Sequence, residues 1–283
     1  MSDRVCVYIS VSINGVGNVP ATSRYDADFH VHHCKFNMSS PGRVFAILDL
    51  FTEENPIWQP DNINAVLGYS RPTGYRYVKE LVEAGLLQKV SAGRYSLGGR
   101  IIALDYQLRQ TDPVLSAADP VMRELAAQTK FDAALSVMFP GPRVIDVHRV
   151  NAEKNLQLSY GRGRPRPLFL AASPKVLLAH LPRNSLKKIY ETYAKDIGIH
   201  GMGNTWQEFL SVLTQIRKDG FYRSQGELEP GLGAVAVPIF NAEGDCVAAL
   251  ALVGSVQRFD TSLDARLLSR LQKASAAICL SLG

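Results

Sequence analysis

No apolar run in the sequence approaches the ~18 residues that a membrane-spanning helix requires, so a transmembrane segment is not expected. Cysteine is scarce. Cys6, Cys34, Cys246 and Cys279 lie far apart and form no CxxC pair, which argues against a disulfide framework and fits a reducing cytoplasm. Signatures of catalysis are also missing. There is no GxSxG, no Walker loop, no HExxH and no Cys/His pair at useful spacing. Gly161-Arg-Gly163 is too short and too arginine-rich for a dinucleotide fingerprint. No catalytic residue, cofactor or metal is therefore expected. Nor is there a strong overall charge: the 283 residues carry +5, with 20% charged and 46% hydrophobic residues. That composition is ordinary for a globular protein, and the length suits two domains and a linker at roughly 100–200 residues each.

The first 40 residues read as a flexible tail. Their apolar residues have no sustained period, and Arg4, Arg24 and Lys35 cancel Asp3, Asp26 and Asp28. Val5 to Ile13 is apolar but broken by serines and lacks a cleavage context, so a signal peptide is not expected. His30-Val-His32-His33-Cys34 offers zinc-type ligands, but nothing around them supplies a fold to make them converge. Met38-Ser-Ser-Pro-Gly stands just before the first amphipathic stretch, which makes Met38 a candidate start and residues 1–37 upstream sequence.

What is present is concentrated between residues 41 and 98. Pro41 to Thr52 repeats Val44, Ile47, Leu48 and Phe51 at three- and four-residue spacing, one buried helix face. Pro56 to Pro60 is a connector in which Trp58 is expected to pack under a ribbon. Asp61 to Leu67 is a second helix with Ile63, Val66 and Leu67 inward, stopped by Gly68. Ser70 is placed to N-cap a third helix whose first turn accommodates Pro72, and Gly85 ends it. Leu86 to Val90 and Tyr95 to Leu97 then form a two-stranded ribbon around Ser91-Ala-Gly93. Three short helices and a ribbon with almost no spacer are the order of a winged helix-turn-helix, whose last helix enters the DNA major groove.

Charge agrees with that reading. From Ser70 to Arg100 six basic residues (Arg71, Arg76, Lys79, Lys89, Arg94, Arg100) face two acidic ones (Glu80, Glu83), a local surplus suited to phosphate. On the third helix Tyr77, Val78 and Leu81 share the inward face. Ser70, Arg71, Thr73, Tyr75, Arg76 and Lys79 lie toward the outer face and its N-terminal end, the part that meets bases. Arg76 suits guanine O6 and N7, Thr73 and Tyr75 suit phosphate or a thymine methyl, and Lys89 and Arg94 of the ribbon suit phosphates. Gly74 is unusual in a helix interior, where glycine costs up to ~1 kcal/mol against alanine. A close approach to the second helix or to DNA would explain it. Arg100 to Arg109 (Ile101, Ile102, Leu104 and Leu108 apolar) reads as a linker helix with a stripe fit for a dimer seam.

Residues 99–112 make the linker, and 113–283 a second domain. It reads as a helix at Pro120 to Lys130, a hairpin at Ala133 to Phe139 and Val144 to Val150 across Pro140-Gly-Pro142, and a strand at Leu156 to Tyr160. The basic loop Gly161-Arg-Gly-Arg-Pro-Arg-Pro167 follows, then helices at Ala172 to Leu181, Asn184 to Asp196 and Thr205 to Lys218. Thr205 and Glu208 have capping-box spacing. Phe221 to Arg223 is extended, Ala234 to Phe240 and Cys246 to Val253 pair as a hairpin, and Ser262 to Leu280 closes the chain as a helix. Strands grouped with helices, without strict alternation, indicate an α+β fold.

The chain from about residue 41 to 283 resembles the IclR family of bacterial transcriptional regulators. The resemblance is carried by Arg43-Val-Phe-Ala-Ile-Leu-Asp-Leu50, the helix-turn-helix and Gly93-Arg-Tyr-Ser-Leu-Gly98. It continues in Pro167-Leu168 with Lys175 and Leu177-Leu-Ala-His-Leu-Pro182, and in Ile216 to Phe221, Glu227 to Leu232, Ala236 to Asn241 and Val247 to Leu250. It implies an N-terminal winged helix-turn-helix domain plus a C-terminal GAF-like effector-binding domain. It also implies homodimers that pair into tetramers, a double-stranded DNA operator with two half-sites, and a cytoplasmic regulator of a catabolic operon answering to a small organic acid. The family's pocket maps onto Leu156, Leu158, Ala172, Ser173, Ser224, Leu232, Ala234, Ala251 and Val253. Ser173 reads as the cap of a helix with Pro174 at its start, an N-terminus suited to a carboxylate. Ala234, Ala251 and Val253 are apolar where polar residues are usual, which points to a larger, aromatic acid; core packing is the alternative for Ala251 and Val253. Arg149 or the loop arginines Arg162, Arg164 and Arg166 could instead meet the carboxylate, a solvated loop being the expectation for the latter three. A ligand-independent DNA binder and an enzyme in the C-terminal domain are the competing functions.

Overall fold

The computed structural model describes residues 39–139, 143–152, 161–259 and 261–283, the side chains of 261–264 excepted. Residues 1–38, with the His/Cys cluster and Met38, lie outside them, as do the Pro140–Pro142 turn and the strand expected at Leu156 to Tyr160. The described residues fall into two compact units that part between Gln107 and Leu108.

The first unit runs α1 (Ser40–Leu48), α2 (Pro60–Leu67), α3 (Arg71–Glu83), β1 (Leu87–Ser91), β2 (Arg94–Leu97) and into α4 (Arg100–Thr111). Ile47, Leu50, Ile63, Tyr77, Val78, Leu81 and Leu87 form its core. The α2–α3 turn depends on Gly68, whose φ of 70° is a conformation that residues with a Cβ adopt at a cost. β1 and β2 pair antiparallel, and Trp58 extends the ribbon through reciprocal backbone bonds with Tyr95, each 2.9 Å. Its indole N–H donates to the Leu50 carbonyl at 2.8 Å, fastening the connector to the turn that follows α1. The first helix stops at Leu48, earlier than the expected Thr52, because the chain tightens into turns there.

In the second unit a six-stranded antiparallel sheet has the order β5-β4-β3-β8-β7-β6. The strands are β3 (Asp132–Phe139), β4 (Arg143–Val150), β5 (Pro165–Arg166), β6 (Tyr222–Gln225), β7 (Leu232–Phe240) and β8 (Cys246–Ser255). One face (Ala133, Leu135, Val235, Val237, Leu250, Leu252) packs against α5 (Pro113–Thr129) and α9 (Thr261–Leu282). The other (Ala134, Ala236, Ala249, Ala251) packs against α6 (Ala172–Ala179), α7 (Arg183–Ile199) and α8 (Trp206–Asp219). Helices on both faces leave β8 no solvated side, which explains its unbroken apolar run. This is the expected α+β class.

Local signals account for most boundaries. Thr205 Oγ1 accepts from the Glu208 N–H at 3.2 Å, while the Glu208 carboxylate reaches back to the Asn204 N–H at 2.7 Å. Gly220 ends α8 at φ 73°. Pro120 was expected to open α5, yet the helix opens seven residues earlier at Pro113 and Pro120 lies inside it. The cap is Asp112, whose carboxylate accepts from Val114 and Leu115 N–H at 2.9 and 3.1 Å. That anchored first turn outweighs the hydrogen bond Pro120 cannot make.

Candidate functional site

On α3 the residues Gly74, Tyr77, Val78 and Leu81 are buried at helical spacing. The opposite stripe holds Arg71, Pro72, Tyr75, Arg76 and Lys79 in solvent. The two tyrosines separate as their positions require: Tyr77 is 4% exposed and Tyr75 43%. Gly74 sits against Asn64 of α2 so closely that a Cβ would come 1.5 Å from Asn64 Oδ1, so the close approach is to the second helix. Ser70 occupies the N-cap position, but its side chain does not cap: its hydroxyl bonds the Thr73 hydroxyl at 2.8 Å. The α3 amides at that end consequently keep their positive field toward solvent without a side-chain acceptor from Ser70.

The basic side chains are only lightly tethered. Arg76 lies 3.9 Å from Glu80 and Lys79 3.6 Å from Glu83, exposed i,i+4 pairs worth about 0.3–0.5 kcal/mol each. Arg71 is held more firmly, its guanidinium 3.1 Å from Asp61 of α2 and 5.7 Å from the centre of the Tyr75 ring. The Tyr75 hydroxyl and then Asp61 raise its pKa further above the ordinary arginine range. On the ribbon Lys89 and Arg94 are exposed.

In the second unit the sheet register gathers the expected pocket residues. Ser224 lies opposite Ala234, and Ala234 opposite Val253. These three, with Leu232, line a cleft that is open to solvent. Arg166, Glu227 and Glu229 complete the polar part of its wall, with Ala171 beside them. Ala251 is not in the wall: it is 1% exposed, between Ala134 and Ala236 in the core. Leu156 and Leu158 lie outside the described residues.

The α6 N-terminus differs from expectation. Ala171 is the N-cap, at φ 68°, with Ala172 and Ser173 already inside the helix, so Ser173 is not the cap. Neither Ala172 nor Ser173 lines the cleft; Ala171 does. The carboxylate at this helix end belongs to the chain itself. Glu227 Oε2 accepts from the Ala171 N–H at 3.1 Å and from the buried Lys175 ammonium at 2.7 Å. Tyr222 closes the group, donating to Glu227 Oε1 and accepting from Lys175, both at 3.0 Å. Burial raises the Tyr222 pKa, which keeps its proton in place as a donor.

The arginines also differ. Arg149 pairs with buried Asp132 and is not in the wall of the cleft. Arg166 is not in a solvated loop: β5 pairs with β4 at Val144 and turns the side chain inward, where it meets Asp146. Arg162 and Arg164 are exposed. The Arg166–Asp146 pair and the Glu227–Lys175–Tyr222 group were missed from the sequence. Their partners are 20 and up to 52 positions apart, and no local period links them.

Burial pushes the Cys246 thiol up to about 12, so it does not present a thiolate nucleophile near neutral pH. Among the described residues no group of three or more His, Cys, Asp or Glu side chains converges as a metal site, and no helix is long and apolar enough to cross a membrane.

Comparison with known proteins shows the family. The bacterial transcriptional regulator IclR C-terminal family matches residues 107–280, and the IclR helix-turn-helix domain matches residues 40–91. The HTH-type transcriptional regulator KdgR of Escherichia coli is 28% identical over 248 residues, 87% of this chain and 94% of that protein. In fold the chain is similar to the IclR transcriptional regulator of Alicyclobacillus acidocaldarius (TM-score 0.72, 22% identity, 88% of this chain and 100% of that one). It is similar as well to an IclR homologue of Microbacterium hydrocarbonoxydans solved with 4-hydroxybenzoate (TM-score 0.67, 22% identity, 86% and 99%).

Proposed function

The chain belongs to the IclR family of bacterial transcriptional regulators, and from that premise we propose that it is a sequence-specific DNA binder whose affinity for an operator is set by a small organic acid of aromatic character. The observation that carries the DNA half is the two-sided α3: one stripe locked into the core, the other presenting Arg71, Tyr75, Arg76 and Lys79 to solvent. Residues 41–98 would read DNA, 99–112 would link, and 113–283 would sense the acid. A regulator of a catabolic operon in the bacterial cytoplasm fits this division.

Dimerisation is part of the reading. No residue of α4 is buried, and Ile102, Leu104, Tyr106 and Leu108 are exposed on it. A second copy of the helix would cover that apolar surface and set two α3 helices at a fixed spacing for two half-sites. Effector binding would then change the spacing, so that acid and operator affect one another's affinity reciprocally.

The apolar cleft residues Leu232, Ala234 and Val253 support an aromatic acid, as does the 4-hydroxybenzoate bound by the M. hydrocarbonoxydans homologue. The test is fluorescence anisotropy of the full chain on an operator selected from random duplexes, with and without a panel of organic acids. The reading expects one acid to shift the operator Kd about tenfold or more, a coupling of roughly 1.4 kcal/mol. Operator binding that no acid alters would favour a ligand-independent DNA binder.

Two sets of substitutions test the assigned contacts. Arg76→Ala is expected to reduce discrimination between the selected site and a single-base variant by about 1–3 kcal/mol, the value of a bidentate contact to guanine. The Glu80 tether is too weak to offset this. Unchanged discrimination in a competition assay would remove Arg76 from the reading set. Lys89→Ala or Arg94→Ala is expected to weaken binding to all sequences alike and to reduce the slope of log K against log salt by about 0.9 each. A change confined to one sequence would contradict a phosphate contact.

A further inference from the structure

The anion seat expected at the α6 N-terminus is filled by Glu227, so an acid entering the cleft must find a donor elsewhere in its wall. Arg166 supplies one. It is 8% exposed, carried inward by β5, and lines the cleft beside Ser224, Ala234 and Val253. One edge of its guanidinium is committed: Nη2 donates to Asp146, which is 1% exposed and accepts from Ser136 Oγ at 2.7 Å through its other oxygen. The side chain is thereby clamped. Its Nε–H is buried and has no hydrogen-bond partner. A buried donor left unmatched is costly, and a ligand that brings an acceptor recovers that free energy.

We propose that Arg166 reads the anionic group of the effector, its Nε–H donating to a carboxylate oxygen of the acid in the cleft, with Asp146 and Ser136 as positioning residues. The proposal builds on the organic-acid reading above and names the residue that would give it specificity for acids. The guanidinium offers five donors, of which Asp146 takes one edge, so it can serve an internal and an external carboxylate together. A carboxylate adds a charge–charge attraction to the guanidinium that a neutral amide oxygen lacks, so Arg166 favours an acid over its amide. Lys175, the other buried cation nearby, does not compete while Glu227 neutralises it.

The experiment is calorimetric titration of the full chain with 4-hydroxybenzoate and with its neutral isostere, 4-hydroxybenzamide. Arg166→Lys keeps a cation for Asp146 and removes Nε. Because a lysine can fit poorly there, the double variant Arg166→Gln with Asp146→Asn serves as a charge-neutral second test, and thermal melts establish that each is folded. Both are expected to lose about tenfold or more in affinity for the acid while holding affinity for the amide within about twofold, as for loss of a hydrogen bond to a charged group. Wild-type affinity for the acid in a folded variant overturns the proposal. So does an equal loss for acid and amide, which is what a purely structural arginine would produce. If the wild type binds neither 4-hydroxybenzoate nor any other acid of the panel, the organic-acid reading itself fails. If it binds an acid that the variants also bind, only the role of Arg166 falls.

Discussion

Asp132→Ala is expected to destabilise the α+β unit by about 3–5 kcal/mol, the range for removing one partner of a buried ion pair. Asp132 is completely buried at the start of β3. One carboxylate oxygen holds the Arg149 guanidinium, and the other accepts the Ala152 N–H at 2.7 Å. Truncation leaves a cation 17% exposed with its main partner gone, and a backbone donor with nothing to bond. Urea unfolding of the full chain, followed by circular dichroism, should show the transition of the larger unit moving to lower denaturant while that of the helix-turn-helix unit stays in place. Asp132→Asn should cost less, because its amide oxygen can still accept from Ala152. A loss below about 1 kcal/mol for the alanine variant would mean that Arg149 finds solvent or another acceptor.

The position of Asp132 ties this stability to the cleft. Across the sheet Ser224, Ala234, Val253 and Asp132 stand in one register, on four neighbouring strands. Three of them line the cleft, and the fourth anchors the row. The buried pairs Asp132–Arg149 and Asp146–Arg166 therefore brace the same sheet face that would bind the effector. Their desolvation cost is offset by mutual attraction, so each pair contributes less to stability than the loss of one member suggests.

The helix-turn-helix was legible because its signals are local. Tyr77, Val78 and Leu81 mark the inward face within five residues, Gly68 marks the turn, and Arg71 to Lys79 mark the outer face. The sheet hairpins were legible for the same reason, from alternating or continuous apolar runs flanked by turn residues. The cleft was legible only in part. Ser224, Ala234 and Val253 came together as expected, but the alanine N-cap of α6 carries no sign in its residue type, since Ala171 adopts a positive φ that glycine or asparagine usually announces. Arg166 was hidden by its setting. In Gly161-Arg-Gly-Arg-Pro-Arg-Pro167 all three arginines look alike, and only pairing with β4 distinguishes the inward one. Proline misled at α5 because Pro113 and Pro120 both carry the mark of a first turn, and the capping aspartate decides between them.

Gly74→Ala is expected to destabilise the helix-turn-helix by about 1–3 kcal/mol and to abolish operator binding, although alanine is the better helix former. Propensity alone would favour alanine by up to ~1 kcal/mol. The added Cβ would stand 1.5 Å from Asn64 Oδ1 and 2.6 Å from its Cγ, so Asn64 must move or α3 must shift away from α2. Asn64 is buried, and both polar atoms of its amide lack hydrogen-bond partners, so no existing bond resists its removal. That gives the prediction a sharp second arm. Asn64→Ala should be tolerated, because it removes an unsatisfied buried amide, and it should rescue Gly74→Ala by vacating the space the new methyl needs. In the double variant the propensity gain can then appear as added stability. A double-mutant cycle of thermal or urea unfolding, with operator binding measured alongside, reads the coupling directly. If Gly74→Ala alone leaves both stability and binding intact, the α2–α3 contact is looser than the geometry requires. If Asn64→Ala fails to rescue it, the obstacle is the helix backbone, and glycine would then be needed for the approach of α3 to DNA.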